Sequence, residues 1–579
     1  MRVGIFLLGM AALLLVGCSQ ETPEKGQPAM QGDEVVVYRA ASVITMDAIR
    51  PRADAVAVDG DRIVAVGNML DIQRSLEGRQ YRINEQFKDQ FLLPGFIDPH
   101  LHPYLSGILL PMEFITPHDW DLPGKKALGV RGRDAYLNRL REHESDLGRG
   151  EWLWTWGYHP LFHGDIARAD LDEISADRPM VVWHRSFHEI YLNSAALKAL
   201  KIDEKIARQH HQVDYDRGHF FENGMYLPLP AMMPRLFEPE RYVGALRHAR
   251  KIIHAGGITT VADGAFGTLD VNQELEAIFA AGWDTRLTPF RTFLLLDGKT
   301  HGAKRGHEEV RKMVDFMPRR DRGNVRFQAD QIKLFADGAA YSQLMQMSEP
   351  YLDGHEGEWL MEPQELEDAA RVYWNAGFQI HVHVNGDKGL DVTMDILQKL
   401  QEENPREDHR FTVHHMAYAR PDQARRLADL GGLVQANPYY LWALADKYAD
   451  VGLGQRRASQ MVPMNSFVRT GMRVGFHSDF PMAPSRPLLL AWAAATRITA
   501  EGNVFAMNER LTVREALRGI TIDAAFQIGK EADCGSIEVG KMADFTVLEQ
   551  DPFEVPAESL KDIPIWGTVF EGKLFPLEQ

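Results

Sequence analysis

Through the middle of the chain, short apolar runs recur, each breaking into polar residues at its carboxyl end. PGFIDPHLH (Pro94–His102), GITTVADG (Gly257–Gly264), QIKLFADG (Gln331–Gly338), FQIHVHVNGD (Phe378–Asp387), FTVHHMA (Phe411–Ala417), GGLVQANP (Gly431–Pro438) and MRVGFHSDF (Met472–Phe480) are the clearest. Between them lie helix-like stretches such as ELEDAARVYWNAG and PDQARRLADL. Strand–helix alternation at this spacing is the pattern of parallel βα units. The simplest architecture for that many units is an α/β fold built on a closed (β/α)₈ TIM-type barrel. With 579 residues, 45% of them hydrophobic, the chain can bury more than one core.

Two further segments frame this region. EVVVYRAASVITM and ADAVAVDGDRIVAVG near the start, and GSIEVGKMADFTVLEQDPFEV and PIWGTVFEGKLF at the end, alternate with period two around turn residues. They predict one small β-sandwich domain built from both termini, residues 34–90 with 535–579, around a barrel spanning 91–534. About 155 residues separate the first two strand runs, far more than one crossover needs. An inserted subdomain over roughly 110–250 accounts for them. It holds EWLWTWGYHP and RPMVVWHRSFHEIYLNSAAL, whose tryptophans either pack the subdomain or meet an apolar part of a substrate.

The first residues, MRVGIFLLGMAALLLVGCSQ, carry one positive charge and an apolar run from Val3 to Val16, shorter than the roughly 20 residues of a membrane span. They read as an export signal (1–17), and LVGC resembles a bacterial lipobox with Cys18 as the lipidated residue. Residues 18–33 then form a polar tether. Ser19 favours the periplasmic face of the outer membrane. The only other cysteine, Cys534, cannot form an internal disulfide with a lipidated Cys18. The net charge of −17 comes without any basic stripe, which argues against nucleic acid as a partner. Oligomeric state leaves no trace in the sequence.

In a barrel, functional groups project from the carboxyl ends of strands, and alternation sorts them by face. Asp98, His100 and His102 share one face, which permits both imidazoles to reach one ion and leaves Asp98 as a supporting partner. Lys333 opposes Ile332 and Leu334, so it is either ion-paired or neutral through burial. His381 and His383 share a face, and either can be a ligand. His414 and His415 point oppositely, so at most one of them faces a given centre. His477 and Asp479 again share a face. Buried ionisable groups from four or more strand ends cost several kcal/mol each unless paired or metal-bound. A nitrogen and oxygen donor set suits zinc or a similar divalent ion.

The order HxH, Lys, His, His, Asp resembles the amidohydrolase superfamily. LPGFIDPHLH, IKLFADGA, HVHVNGD, VGFHSDFPMAPSRP, LTVREALRGITIDAA and GSIEVGKMADFTVL are similar to its amidohydrolase-3, or YtcJ-like, group. The resemblance runs from about residue 34 to the end. It implies two divalent metal ions, with His100 and His102 on one, His383 and His415 on the other, and a carboxylated Lys333 bridging them. Asp479 would complete the first site and carry the proton. FHEIYLNSAAL and FFENG match the group's insert, making His188 and Glu222 candidates for substrate contact or lid closure. The implied activity is hydrolysis of a small-molecule amide or N-acyl bond by a metal-activated hydroxide. Heterocycle deamination, ester or lactone hydrolysis, and a non-catalytic lipid-anchored binding protein are the alternatives. Two positions depart from the group. His414 stands where a glutamate is usual, and His477 where a glycine is usual, which makes His477 a further candidate for lining the substrate pocket.

Overall fold

The computed structural model describes residues 34–578. The export signal, Cys18 and the whole tether (18–33) lie outside the described residues. Eight parallel strands carry the centre: β1 (Phe96–Leu101), β2 (Ile258–Phe266), β3 (Arg291–Leu296), β4 (Gln331–Phe335), β5 (Gln379–Val384), β6 (Thr412–His415), β7 (Leu433–Ala436) and β8 (Val474–Phe476). They are short and almost wholly buried on both faces, as parallel strands covered by helices must be. β1, β2 and β3 pair in one sheet, extended by Val325–Phe327, and β4 to β8 pair in a second. A parallel bridge between Asp297 and Lys333 links β3 to β4. At the other edge, Asp479 N donates to His100 O (3.1 Å) and His102 N to Phe480 O (2.8 Å), tying β8 to β1.

The helices between strands are amphipathic. Pro363–Asn375 begins with proline in its first turn and buries Leu366, Ala369, Ala370, Tyr373 and Trp374. Those positions follow the i, i+3, i+4, i+7, i+8 stripe of a helix lying on a sheet. Because every central strand runs the same way, all their carboxyl ends open at one end of the fold.

Strands from both chain ends form one seven-stranded sheet. Its order is Lys573–Pro576, Ile565–Phe570, Phe545–Leu548, Tyr81–Pro94, Val35–Ile44, Arg52–Asp59, Arg62–Gly67. Separate apolar clusters form around it, one on Tyr38, Phe87 and Phe545, another on Val37, Ile72 and Leu76. Tyr81–Pro94 leads through Gly95 straight into β1. A Cβ on Gly95 would lie 2.0 Å from Thr259 Oγ1, so only glycine lets the chain pass this close to β2. The segment between β1 and β2 contributes a six-stranded sheet of its own, spanning residues 113–221. Among the described residues no helix is long and apolar enough to cross a membrane.

The terminal sheet is fastened to the central strands by charge as well as apolar contact. Arg291, at the start of β3, pairs through Nη1 and Nη2 with the buried Asp544 carboxylate, and Nη2 also lies 3.3 Å from Glu571. Removing one partner of a buried pair strands the other charge, at a cost of about 3–5 kcal/mol. Asp544→Ala should therefore destabilise the first urea-unfolding transition by about 3 kcal/mol, the low end because Glu571 remains. The double variant Arg291→Met with Asp544→Ala should recover part of the loss. A loss below about 1 kcal/mol for the single variant would show that the pair does not fasten the two sheets.

Candidate metal centre and substrate cavity

The carboxyl ends of β1, β4, β5, β6 and β8 bring His100, His102, Lys333, His383, His415 and Asp479 to the floor of one cavity. The cavity measures about 950 Å³ including its open mouth. One Asp479 carboxylate oxygen lies 3.3 Å from His100 Nε2 and 3.1 Å from His102 Nε2, and the other lies 3.8 Å from His415 Nδ1. The His383 ring centre is 4.4 Å from that of His415. His415 and Asp479 both adopt left-handed backbone conformations (φ 74° and 58°), which non-glycine residues seldom occupy. Strained backbone of this kind clusters where side chains must be aimed at a site.

Burial controls the charge of these groups. It holds His100, His383 and His415 well below the usual histidine range, with the nearby Lys333 ammonium adding to the effect. Burial likewise pulls Lys333 down to about 7, against the opposing attraction of Asp479 and Asp297. His102 also feels burial, but the neighbouring Asp263 and Asp479 carboxylates outweigh it and lift the ring to about 9. Neutral imidazoles keep the lone pair that a metal ion needs.

A second tier lies beneath. Lys333 Nζ is 2.9 Å from His414 Nδ1, which is itself 2.7 Å from His100 Nδ1. His414 Nε2 is 2.8 Å from His381 Nδ1, and His381 Nε2 is 3.1 Å from Gln331 Oε1. His381 and His414 therefore serve as supports, although His414 points inward alongside the candidate ligands. Asp98 is turned toward Ser478, accepting from its backbone and hydroxyl and so stitching β1 to β8. The group beside His102 Nδ1 is instead Asp263, at 3.6 Å.

His188 and Glu222 reach the cavity from the insert and pair with each other, His188 Nδ1 to Glu222 Oε2 at 2.6 Å. Glu222 also accepts from Ala339 N, the backbone beyond β4. His477 does not line the cavity. It is fully buried below the floor, so a direct substrate contact does not fit it. Trp120, Trp156 and Trp183 are fully buried in the insert, and no tryptophan lines the cavity. Its apolar wall comes from Tyr104, Leu105, Met225, Tyr226, Leu229, Phe335, Leu360 and Met482. Asp263, Asp297 and Lys299 were missed by the sequence reading. For Asp263 and Asp297 the signal was present, an aspartate at the end of an apolar run. Lys299 sits past a strand end in a helical turn, where spacing gives no sign.

Whether these residues suit a metal can be judged from their unsatisfied atoms. His100 Nε2, His102 Nδ1 and both ring nitrogens of His415 and His477 are buried without any hydrogen bond. One donor atom each from His100, His415, His477 and Asp479 lie within 4.8 Å of one another. Buried polar atoms are normally partnered, and converging unpartnered imidazoles with a carboxylate fit a divalent ion.

A parallel α/β scaffold carrying such a centre at its strand ends defines a metal-dependent hydrolase. The chain belongs to the amidohydrolase family, whose sequence profile matches residues 88–575. N-substituted formamide deformylase of Arthrobacter pascens is 26% identical over 546 residues, covering 92% of this chain and 97% of that protein. YtcJ of Bacillus subtilis (strain 168) is 26% identical over 562 residues, covering 93% and 98%. Among solved structures, an uncharacterized metal-dependent hydrolase from Pyrococcus horikoshii OT3 has the same fold, with a TM-score of 0.68 at 20% identity over 90% of this chain and 99% of that one. The protein is thus a metal-binding amidohydrolase, an enzyme of carbon–nitrogen bonds.

Asp263 offers a direct check on the centre. Carboxylates that hold a ligating imidazole through its second nitrogen typically contribute about 10–100-fold in metal affinity. Asp263→Ala should weaken zinc binding by that factor in a chelator competition. Unchanged affinity would remove Asp263 from the metal site.

Proposed function

We propose that the enzyme hydrolyses an amide or N-acyl bond of a small molecule at a centre of two divalent ions, zinc or similar. The observation that carries this is the convergence of buried, unpartnered imidazoles and Asp479 on one cavity floor. His100, His102 and Asp479 would hold one ion, and His383 and His415 the other. Lys333 would bridge them once carboxylated, since a buried amine held near 7 has the free lone pair that reacts with carbon dioxide. When bound, such ions polarise the scissile carbonyl and lower the pKa of water to about 7.

The chain's own residues do the rest. Asp479, at the floor and within 3.1 Å of His102, accepts the proton of the attacking water and returns it to the leaving nitrogen. The His188–Glu222 pair, resting on the backbone beyond β4, places a polar clamp over the site from the insert. The apolar wall suits a substrate with a hydrocarbon or aryl substituent, in keeping with the activity named for the deformylase relative.

In this reading the two parallel sheets act as one closed (β/α)₈ barrel. The Asp297–Lys333 bridge and the hydrogen bonds between β8 and β1 support that closure. Residues 34–90 and 535–579 form the accessory β domain, and the chain is exported and lipid-anchored through Cys18. Cys18→Ala would then move the protein from the membrane fraction to the soluble one, and an unchanged distribution would exclude the anchor.

Metal analysis decides between bridged and single-ion chemistry. The purified enzyme should hold about two divalent ions, and Lys333→Ala should lose at least one of them together with activity on N-formyl and N-acyl amines. A stoichiometry near one that ignores this substitution would eliminate the bridged site. Turnover confined to lactones or esters would eliminate amide hydrolysis.

A further inference from the structure

We infer that His477 is a direct ligand of a divalent ion held beside His100, His415 and Asp479. The inference rests on the metal-centred reading above but regroups its ligands: His100 and His415, placed there on different ions, would share this one with His477, which stands where the related group carries glycine.

β8 ends at Phe476, but His477 N still donates to Ala436 O (3.1 Å), so the ladder with β7 continues one residue further. That hydrogen bond keeps His477 in strand register, its side chain opposite that of Phe476 and on the face of Asp479. The ring centre lies 4.7 Å from that of His100 and 4.9 Å from that of His415. One donor atom from each of these three histidines and from Asp479 lies within 4.8 Å of the others, so the side chains would draw in by about an ångström to reach the roughly 3.4 Å ligand spacing of a tetrahedral ion with bonds of about 2.0–2.2 Å.

Apart from an approach to the Gln435 backbone carbonyl, the ring has no partner among the described residues. Both His477 nitrogens are buried and make no hydrogen bond. His381 and His414, also buried at this end of the sheet, engage both of theirs. A histidine held only by packing would be expected to satisfy at least one nitrogen. Substrate cannot do so either, since the ring is fully buried and lies outside the cavity wall. The space shared with His100, His415 and Asp479 remains, and an ion there would satisfy His477 together with the unpartnered nitrogens of the other two. Three imidazoles and one carboxylate also complete a four-coordinate site without Lys333. One ion should therefore survive when the lysine is removed.

The test uses the full chain as wild type, His477→Gly and His477→Phe, the second filling the space without supplying a nitrogen. Each is stripped with chelator, checked by circular dichroism and thermal melting, and titrated with zinc against a chromophoric chelator. The tightest-bound zinc is then examined by X-ray absorption. Wild type should show three imidazoles on that ion. Each folded variant should show two and bind it more than about 100-fold more weakly, beyond the range of groups that only support a ligand. Two imidazoles in wild type, or unchanged affinity in either folded variant, would overturn the assignment. If neither variant folds, the wild-type imidazole count decides alone. Wild type that binds no zinc would instead refute the metal-centred reading, a separate outcome from loss of this one ligand.

Discussion

Seven titratable side chains, His100, His102, Lys333, His383, His415, His477 and Asp479, are buried together at one end of the parallel strands. Protein atoms alone leave much of that cluster unsatisfied. Burial discharges most of the imidazoles and brings Lys333 to about 7, so attraction to protein charges does not offset the cost of enclosing them. His102 is the exception, flanked by Asp263 and Asp479. A cation placed among these groups is what turns an unfavourable cluster into a stable centre, and the remainder of the architecture is arranged around that requirement.

Strand direction supplies the convergence. Parallel pairing sends every carboxyl end the same way, and register sets the depth of each group: Lys333 lies opposite His381, and Val384 opposite His415. The terminal sheet anchors the entrance to β1, where Gly95 allows the chain to pass against Thr259. The insert carries His188 and Glu222 to the cavity rim, while its Trp120, Trp156 and Trp183 pack into the apolar core it shares with the central strands. Beneath the floor, Gln331, His381 and His414 form a chain of contacts up to Lys333 and His100, which limits how far either can swing.

The strand runs and the candidates at their ends were legible from local pattern, while the choice of His383 over His381 and of His415 over His414 came from the family resemblance. Apolar runs ending in polar residues mark strand ends, and period two sorts their faces. The same logic failed where a partner comes from another strand. Asp98 shares a face with His100 and His102, yet it bonds to Ser478 on β8, while Asp263 on β2 stands beside His102. His414 faces away from His415 by alternation, yet its ring reaches both Lys333 and His100. Neither contact has any signature in spacing along one strand.

By itself, then, the sequence determined which segments become parallel strands and helices, which side chains stand at the strand ends, and membership of the amidohydrolase family. Those properties depend on residues a few positions apart and on motifs that stay contiguous. Only the tertiary structure decided which of those side chains share a single volume, which nitrogens find partners, and that His477 lies under the floor instead of in the substrate's path. Such outcomes depend on register and packing between strands far apart in the chain, where shifts of an ångström or two separate a ligand from a bystander.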